Sequence, residues 1–161
     1  MDIARLRHND VAILTWADIE NAARLVLAQL SKAAFTPTVV IGIERGGCVP
    51  AVWFSNVLGV KRFDPINVRT TISDDVRAER LQVSNRSIVL PNYTNDRVLI
   101  VDDVTNTGAT LRATREAVMV GGCLECRTAA LYRDTVGAGE GVAVDFIGPS
   151  VHAWTLFPWE R

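Results

Sequence analysis

The chain has 161 residues, 48% hydrophobic and 22% charged, which supplies one buried core and rules out a mainly disordered chain. Its 17 basic and 18 acidic residues leave a net charge of −1, which gives no support to a general nucleic-acid or polyanion binder. No apolar run is long enough to span a bilayer, and the opening MDIARLRHND has no apolar stretch of signal-peptide type. Three cysteines, an odd number in a chain that needs no staples, point to a reduced, cytoplasmic setting. Arginine supplies 15 of the basic residues; most are scattered, which fits genomic base composition.

Residues 15–30, TWADIENAARLVLAQL, predict an amphipathic helix. Thr15 or Asp18 caps it, and Ile19, Ala22, Ala23, Val26, Leu27 and Leu30 form its apolar stripe. Residues 39–43, VVIGI, read as a strand buried on both faces. After ERGGCVP comes a second helix, from about Ala51 to Leu58, closed by Gly59. Residues 62–72 read as extended, with Ile66, Val68 and Ile72 in alternation. The polar stretch 73–87 has no apolar period and is expected to be a lid loop. Residues 97–102, RVLIVD, form the clearest buried strand. A helix follows from Ala109 to Val120, stopped by Gly121 and Gly122. Strands are expected at 127–132 and 142–147, separated by the turn-like GAGEG at 137–141. Strands alternating with helices define an α/β domain with a mainly parallel sheet, spanning 1–161 as one unit. Ligands of such sheets bind beyond the carboxyl ends of the strands.

Two loops at strand ends carry unusual chemistry. In VLIVDDVTNTGATL, residues 98–111, a buried strand ends in two carboxylates, and a loop of small and hydroxyl residues then opens a helix. Main-chain N–H groups from Thr105 to Thr110, the hydroxyls of Thr107 and Thr110, and Gly108 suit a phosphate at that helix start. Asp102 and Asp103 at the mouth suit sugar hydroxyls or a Mg²⁺ ion. In VVIGIERGGCVPA, residues 39–51, Gly46 and Gly47 let the main chain bend, and Arg45 adds a cation for an anionic ligand. No G-x-x-x-x-G-K-[ST] is present, and no G-x-G-x-x-G follows a strand.

The 14-residue string 98–111 resembles the phosphoribosyl pyrophosphate signature of type I phosphoribosyltransferases. The 39–51 segment resembles the pyrophosphate loop of the same family, and WTLFPWER resembles the hood of its short purine enzymes, of the xanthine-guanine and archaeal types. The resemblance covers most of the chain. It implies that Asp102 and Asp103 hold the ribose hydroxyls, with Asp103 close to Mg²⁺. It implies that Thr105, Asn106, Thr107, Gly108, Ala109 and Thr110 cradle the 5′-phosphate. Glu44, Arg45, Gly46 and Gly47 would hold pyrophosphate, with a non-proline cis peptide beside Arg45. Arg133, at the end of the strand TAALYR, would bind the base together with Trp154 and Thr155 of a hood at 148–161, and Arg77, Arg80 and Arg86 would sit on the lid. Asp102, Asp103, Asn106 and Arg45 form the implied catalytic set. Phosphoribosyl pyrophosphate, a nucleobase and the nucleotide are the implied small-molecule partners, with no nucleic acid or membrane, and the family's habit is a homodimer or homotetramer.

Two departures bear on the base. Asn106 stands where 6-oxopurine enzymes usually carry an aspartate that takes the purine proton, and an amide is no general base. Asn106→Asp is therefore expected to raise turnover of a 6-oxopurine. Arg133 stands where the purine enzymes usually place a lysine. Two other readings stay open: a transferase for a pyrimidine or modified purine, and a non-catalytic regulator that binds phosphoribosyl pyrophosphate or a nucleotide. Cys123 and Cys126 form a C-x-x-C that enters a strand, the reverse of the redox context, and read as core residues. His8 and His152 belong to no recognisable motif. Trp16, Trp53 and Trp159 read as packing residues, while Val52, Trp53 and Phe54 are expected on a surface that serves an interface.

Overall fold

A computed structural model describes residues 11–70, 81–82, 90–136 and 141–161. The chain enters through a short strand, β1 (Val11–Ile13), and turns at Thr15 into α1 (Trp16–Lys32). Thr15 caps α1, and both of its expected caps take part. The Thr15 hydroxyl accepts from Asp18 N at 3.3 Å, and the Asp18 carboxylate accepts from Thr15 N at 2.8 Å. This reciprocal box satisfies donors that a helix start otherwise leaves orphaned. The expected stripe of α1 is buried except for Leu27, which is half-buried.

β2 (Val39–Ile43) is buried along its whole length. It leads into α2 (Cys48–Val57), which starts three residues before the expected Ala51. Pro50 lies in its first turn, where a missing N–H costs no helical hydrogen bond. β3 (Arg62–Ile66) follows, and then a two-residue strand, β4 (Arg69–Thr70), pairs antiparallel with β5 (Leu81–Gln82). The rest of the expected lid, with Arg77, Arg80 and Arg86, lies outside the described residues, as do His8 and Ile72. β6 (Arg97–Thr105) runs three residues beyond the expected strand. α3 (Ala109–Val120) has its expected bounds, with Gly121 as its C-cap. β7 (Glu125–Asp134) is longer than expected at both ends. The strand expected at 142–147 shrinks to β8 (Phe146–Ile147), because Val142 turns aside and donates from its N–H to Thr107 O at 2.7 Å. β9 (Ser150–Val151) and β10 (Trp154–Leu156) complete the strands, and a 3-10 turn covers Pro158–Glu160.

The central sheet has the order β3-β2-β6-β7, with β8 and β9 both on the outer edge of β7, and every pairing in it is parallel. Its side chains alternate between two cores. Val40, Leu99, Val101, Ala129 and Leu131 face α1 and α2. Val39, Ile41, Ile43, Val98, Ile100 and Ala130 face Leu111 and Val118 of α3. Both faces are covered, which explains why the strands read as continuous apolar runs. Cys123 and Cys126 sit in the second core as free thiols, and burial pushes the Cys126 thiol up to about 12. Phe54 is fully buried, contrary to the expected exposed surface, because α2 turns it towards the sheet; Val52 is 44% exposed. Trp16 is 60% exposed rather than packed in the core, with its ring 5.9 Å from that of Trp159.

Candidate active site

The strand order reverses between β2 and β6. From β2 the chain crosses to β3 on one side, and from β6 to β7 on the other. Their two carboxyl-end loops therefore part and leave a crevice, the usual ligand position of an open α/β sheet. The loop after β2 holds Glu44, Arg45, Gly46 and Gly47, and the Glu44–Arg45 peptide is cis. Gly47 is wedged against the sheet: a Cβ there would stand 2.6 Å from Val101 O and 2.7 Å from Ile43 O. A Cβ on Gly46 would run into the Asp103 carboxylate. Only glycines let the two loops approach this closely. Arg45 is exposed. Glu44 is turned aside, and its Oε2 accepts from Asn67 Nδ2 at 2.8 Å.

Asp102 and Asp103 are half-buried in the second half of β6, which continues to Thr105. Asp102 Oδ1 accepts from Asp103 N at 3.0 Å, and Asp103 Oδ1 accepts from Val104 N at 2.7 Å. Burial, and next the Asp103 charge, pushes the Asp102 carboxyl well above the usual carboxylate range. Burial also raises Asp103. Among the described residues neither carboxylate forms an ion pair. An acid pair of this kind suits a cation. No described cluster of three or more His, Cys, Asp or Glu side chains could hold a metal alone. One or two carboxylates completed by substrate oxygens is the usual Mg²⁺ arrangement, so the donor set fits that ion. Cys48, which the sequence reading left out, stands beside the pair; burial, and then the charges of Glu44, Asp102 and Asp103, raise its thiol and keep it protonated.

The phosphate-type loop follows directly. Thr105 is buried, Gly108 takes a left-handed conformation with φ of 75°, and α3 begins at Ala109. Thr107 Oγ1 accepts weakly from Ala109 N at 3.4 Å, and Thr110 O accepts from Thr114 Oγ1 at 2.9 Å. Among the described residues no acceptor takes the main-chain N–H of Thr107 or Gly108. Asn106 is engaged on its other side: its Nδ2 donates to Val136 O at 2.9 Å and to Asp134 O at 3.3 Å.

The hood is a separate layer. β10 pairs parallel with β1, in register Val11 with Trp154 and Ile13 with Leu156. Phe157 is buried, stacks on Trp159 at 4.8 Å and meets Tyr132 edge-on at 6.0 Å. Tyr132 in turn donates to Asp18 O of α1 at 2.9 Å. Trp154 is left 50% exposed, Thr155 donates to Ala153 O, and Arg133 is half-buried at the end of β7. Thr135 and His152, which no motif flagged, meet at 2.5 Å through Oγ1 and Nδ1.

A parallel sheet with a glycine loop and an acid-pair loop at its switch point, and a hood beyond, is the architecture of type I phosphoribosyltransferases. Residues 11–160 match the family model of the phosphoribosyl transferase domain, and the chain belongs to that family. It is 26% identical over 152 residues to the xanthine-guanine phosphoribosyltransferase of Gluconobacter oxydans (strain 621H), covering 92% of this chain and 84% of that one. The purine phosphoribosyltransferase from Pyrococcus horikoshii Ot3 superposes with a TM-score of 0.76 and 31% identity, over 94% of this chain and 95% of that one. The Helicobacter pylori xanthine-guanine-hypoxanthine phosphoribosyltransferase shares the fold, with a TM-score of 0.75 at 15% identity, over 93% of this chain and 94% of that one. No described helix is long and apolar enough to cross a membrane.

Proposed function

We propose that the protein transfers ribose 5-phosphate from phosphoribosyl pyrophosphate to a purine base, releasing pyrophosphate, as a salvage step. The observation that carries this reading is the abutment of the Gly46–Gly47 loop on the Asp102–Asp103 pair at the switch point. It supports one crevice in which the leaving group and the ribose lie side by side.

In this reading Thr105 to Thr110 hold the 5′-phosphate through main-chain N–H groups and hydroxyls at the start of α3. Asp102 and Asp103 accept from the ribose hydroxyls. Mg²⁺, held by Asp103 and substrate oxygens, would supply charge stabilisation to the departing pyrophosphate. Arg45 pairs with that pyrophosphate, while Gly46 and Gly47 keep the loop close to it. Glu44 orients the loop through Asn67 rather than meeting the anion. The C1′–oxygen bond breaks as the bond from C1′ to the base nitrogen forms, and the proton of that nitrogen passes to water, since the Asn106 amide is no base; the protein works by holding both partners in line and balancing charge. Trp154 stacks on the base, with Thr155 and Arg133 at its edge. The whole chain works as one domain, in the cytoplasm, where the free thiols of Cys48, Cys123 and Cys126 persist. Assembly as a homodimer or homotetramer belongs to the same proposal, with Val52 and Val57 exposed on α2 as candidate contacts.

Asn106 and Arg133 favour a second reading, a transferase of the same fold for a different base. The deciding experiment is pyrophosphate release with phosphoribosyl pyrophosphate, Mg²⁺ and a panel of guanine, xanthine, hypoxanthine, adenine, uracil and orotate. Release that depends on a purine is the expected result. Release with uracil or orotate alone selects the second reading.

A further inference from the structure

Asn106 lies in the phosphate-type loop, yet its side chain reaches away from that loop. Both groups that its Nδ2 meets, Asp134 O and Val136 O, are carbonyls, so only the donor end of the amide can serve there. The two carbonyls bracket Thr135. Thr135 N and Oγ1 both donate to Val151 O, at 3.0 and 3.1 Å, and Thr135 Oγ1 meets His152 Nδ1 at 2.5 Å. The turn is itself pinned by Val136 N donating to Asp134 Oδ1 at 2.8 Å. One residue before it stands Arg133, whose N–H donates to Pro149 O at 2.9 Å. The same loop is gripped a second time, through Val142 N and Thr107 O. The connection leaving β7 is thus stitched to the phosphate-type loop at 134–136 and again at 142, and to the hood at 151–152.

We infer that Asn106 is a positioning residue that fastens the 5′-phosphate loop to the turn that follows Arg133 and tethers the hood, so that phosphate and base subsites are set as one unit. This inference rests on the function proposed above. An aspartate at 106 would place a carboxylate against two carbonyl oxygens and donate to neither. The hydrogen bonds therefore argue for the opposite of the gain expected from Asn106→Asp.

The test compares wild type with Asn106→Ala, Asn106→Asp, Thr135→Val and the double variant Asn106→Ala/Thr135→Val, with thermal melts to check folding. Asn106→Ala is expected to raise KM about tenfold for both phosphoribosyl pyrophosphate and the purine, on the scale of two lost hydrogen bonds. Asn106→Asp is expected to be worse than Asn106→Ala in kcat/KM. The double variant is expected to lose clearly less than the product of the single losses, because both residues act through one turn. A KM increase for phosphoribosyl pyrophosphate alone, additive losses, or an Asn106→Asp protein as fast as wild type overturns the inference. If Asn106→Asp does not fold, Asn106→Ala and the double variant decide alone. If wild type releases no pyrophosphate with any base, the proposed function fails, and guanosine monophosphate, which spans both subsites, is titrated into the same variants by calorimetry. Affinity unchanged by Asn106→Ala then overturns the clasp, and about tenfold weaker binding with a non-additive double variant supports it.

Discussion

The Asp103 carboxylate fills the space that a side chain at Gly46 would occupy. The pyrophosphate-type loop and the acid pair are therefore one packed unit, although the two residues come from different strand ends. Gly46→Ala must push the carboxylate out of place. We expect the melting temperature to change little, since the crowding sits in a loop, while kcat/KM with phosphoribosyl pyrophosphate falls about a hundredfold, the cost of misplacing a reacting group. Steady-state kinetics beside a thermal melt checks it; an active Gly46→Ala enzyme would show that the carboxylate can move freely.

The acid pair has no described cationic partner, and burial raises both carboxyls. Removal of divalent ions with a chelator is expected to abolish pyrophosphate release, and added Mg²⁺ to restore it. Asp103→Asn is expected to raise the Mg²⁺ concentration needed for half-maximal rate more than Asp102→Asn does. Rate against free Mg²⁺ for the three proteins measures this, and equal demand in both variants would contradict the assignment of Asp103.

Trp154 stands half exposed on β10, while Phe157 and Trp159 of the same tail pack inward. Stacking on one base contributes about 1–3 kcal/mol. Trp154→Ala is expected to raise KM for the purine about tenfold or more and to leave KM for phosphoribosyl pyrophosphate unchanged. Phe157→Ala is a different case: it deletes a buried ring and is expected to cost about 3–5 kcal/mol of stability, read by denaturant unfolding.

Asp145 gives the pH prediction. Burial alone would raise its carboxyl, but hydrogen bonds from Thr128 N and Oγ1, both 2.8 Å, with Arg127 and Arg115, hold it below the usual range. A lowered folded pKa means that the unfolded chain binds more protons in the window just below the ordinary value of about 3.9. Stability from this group is present above that value and is lost as pH falls through the lowered one. Asp145→Asn is expected to destabilise by about 1–3 kcal/mol near neutrality and to flatten the acid limb of the stability profile. Unfolding curves across acid pH decide it; an unchanged slope in Asp145→Asn would point to other carboxylates.

Local chemistry made much of this molecule legible. The cap at Thr15, the glycines after α3 and the apolar runs of β2 and β6 are set by neighbours in sequence and appear as read, while the structure joins the two alternative caps, Thr15 and Asp18, in one box. The glycine loop and the acid-pair loop were legible as string motifs, and the sheet order brings them together. The illegible parts depend on distant partners. Val142 reads as a strand residue until Thr107 O takes its N–H. Phe54 reads as surface until α2 begins at Cys48 and turns it inward. Asn106 reads as a lost acid, whereas its partners lie 28 and 30 residues onward and appear only when β7 is laid beside β6.

The pairing of Val11–Ile13 with Trp154–Leu156 has a consequence for how such an enzyme can change. Under the proposed function Trp154 stacks on the base, and β1 is the strand that backs it. Substitutions at Val11, Ala12 or Ile13 can tilt Trp154 and so retune base preference while every residue lining the pocket stays the same. Selectivity in this chain is open to drift from its opposite end.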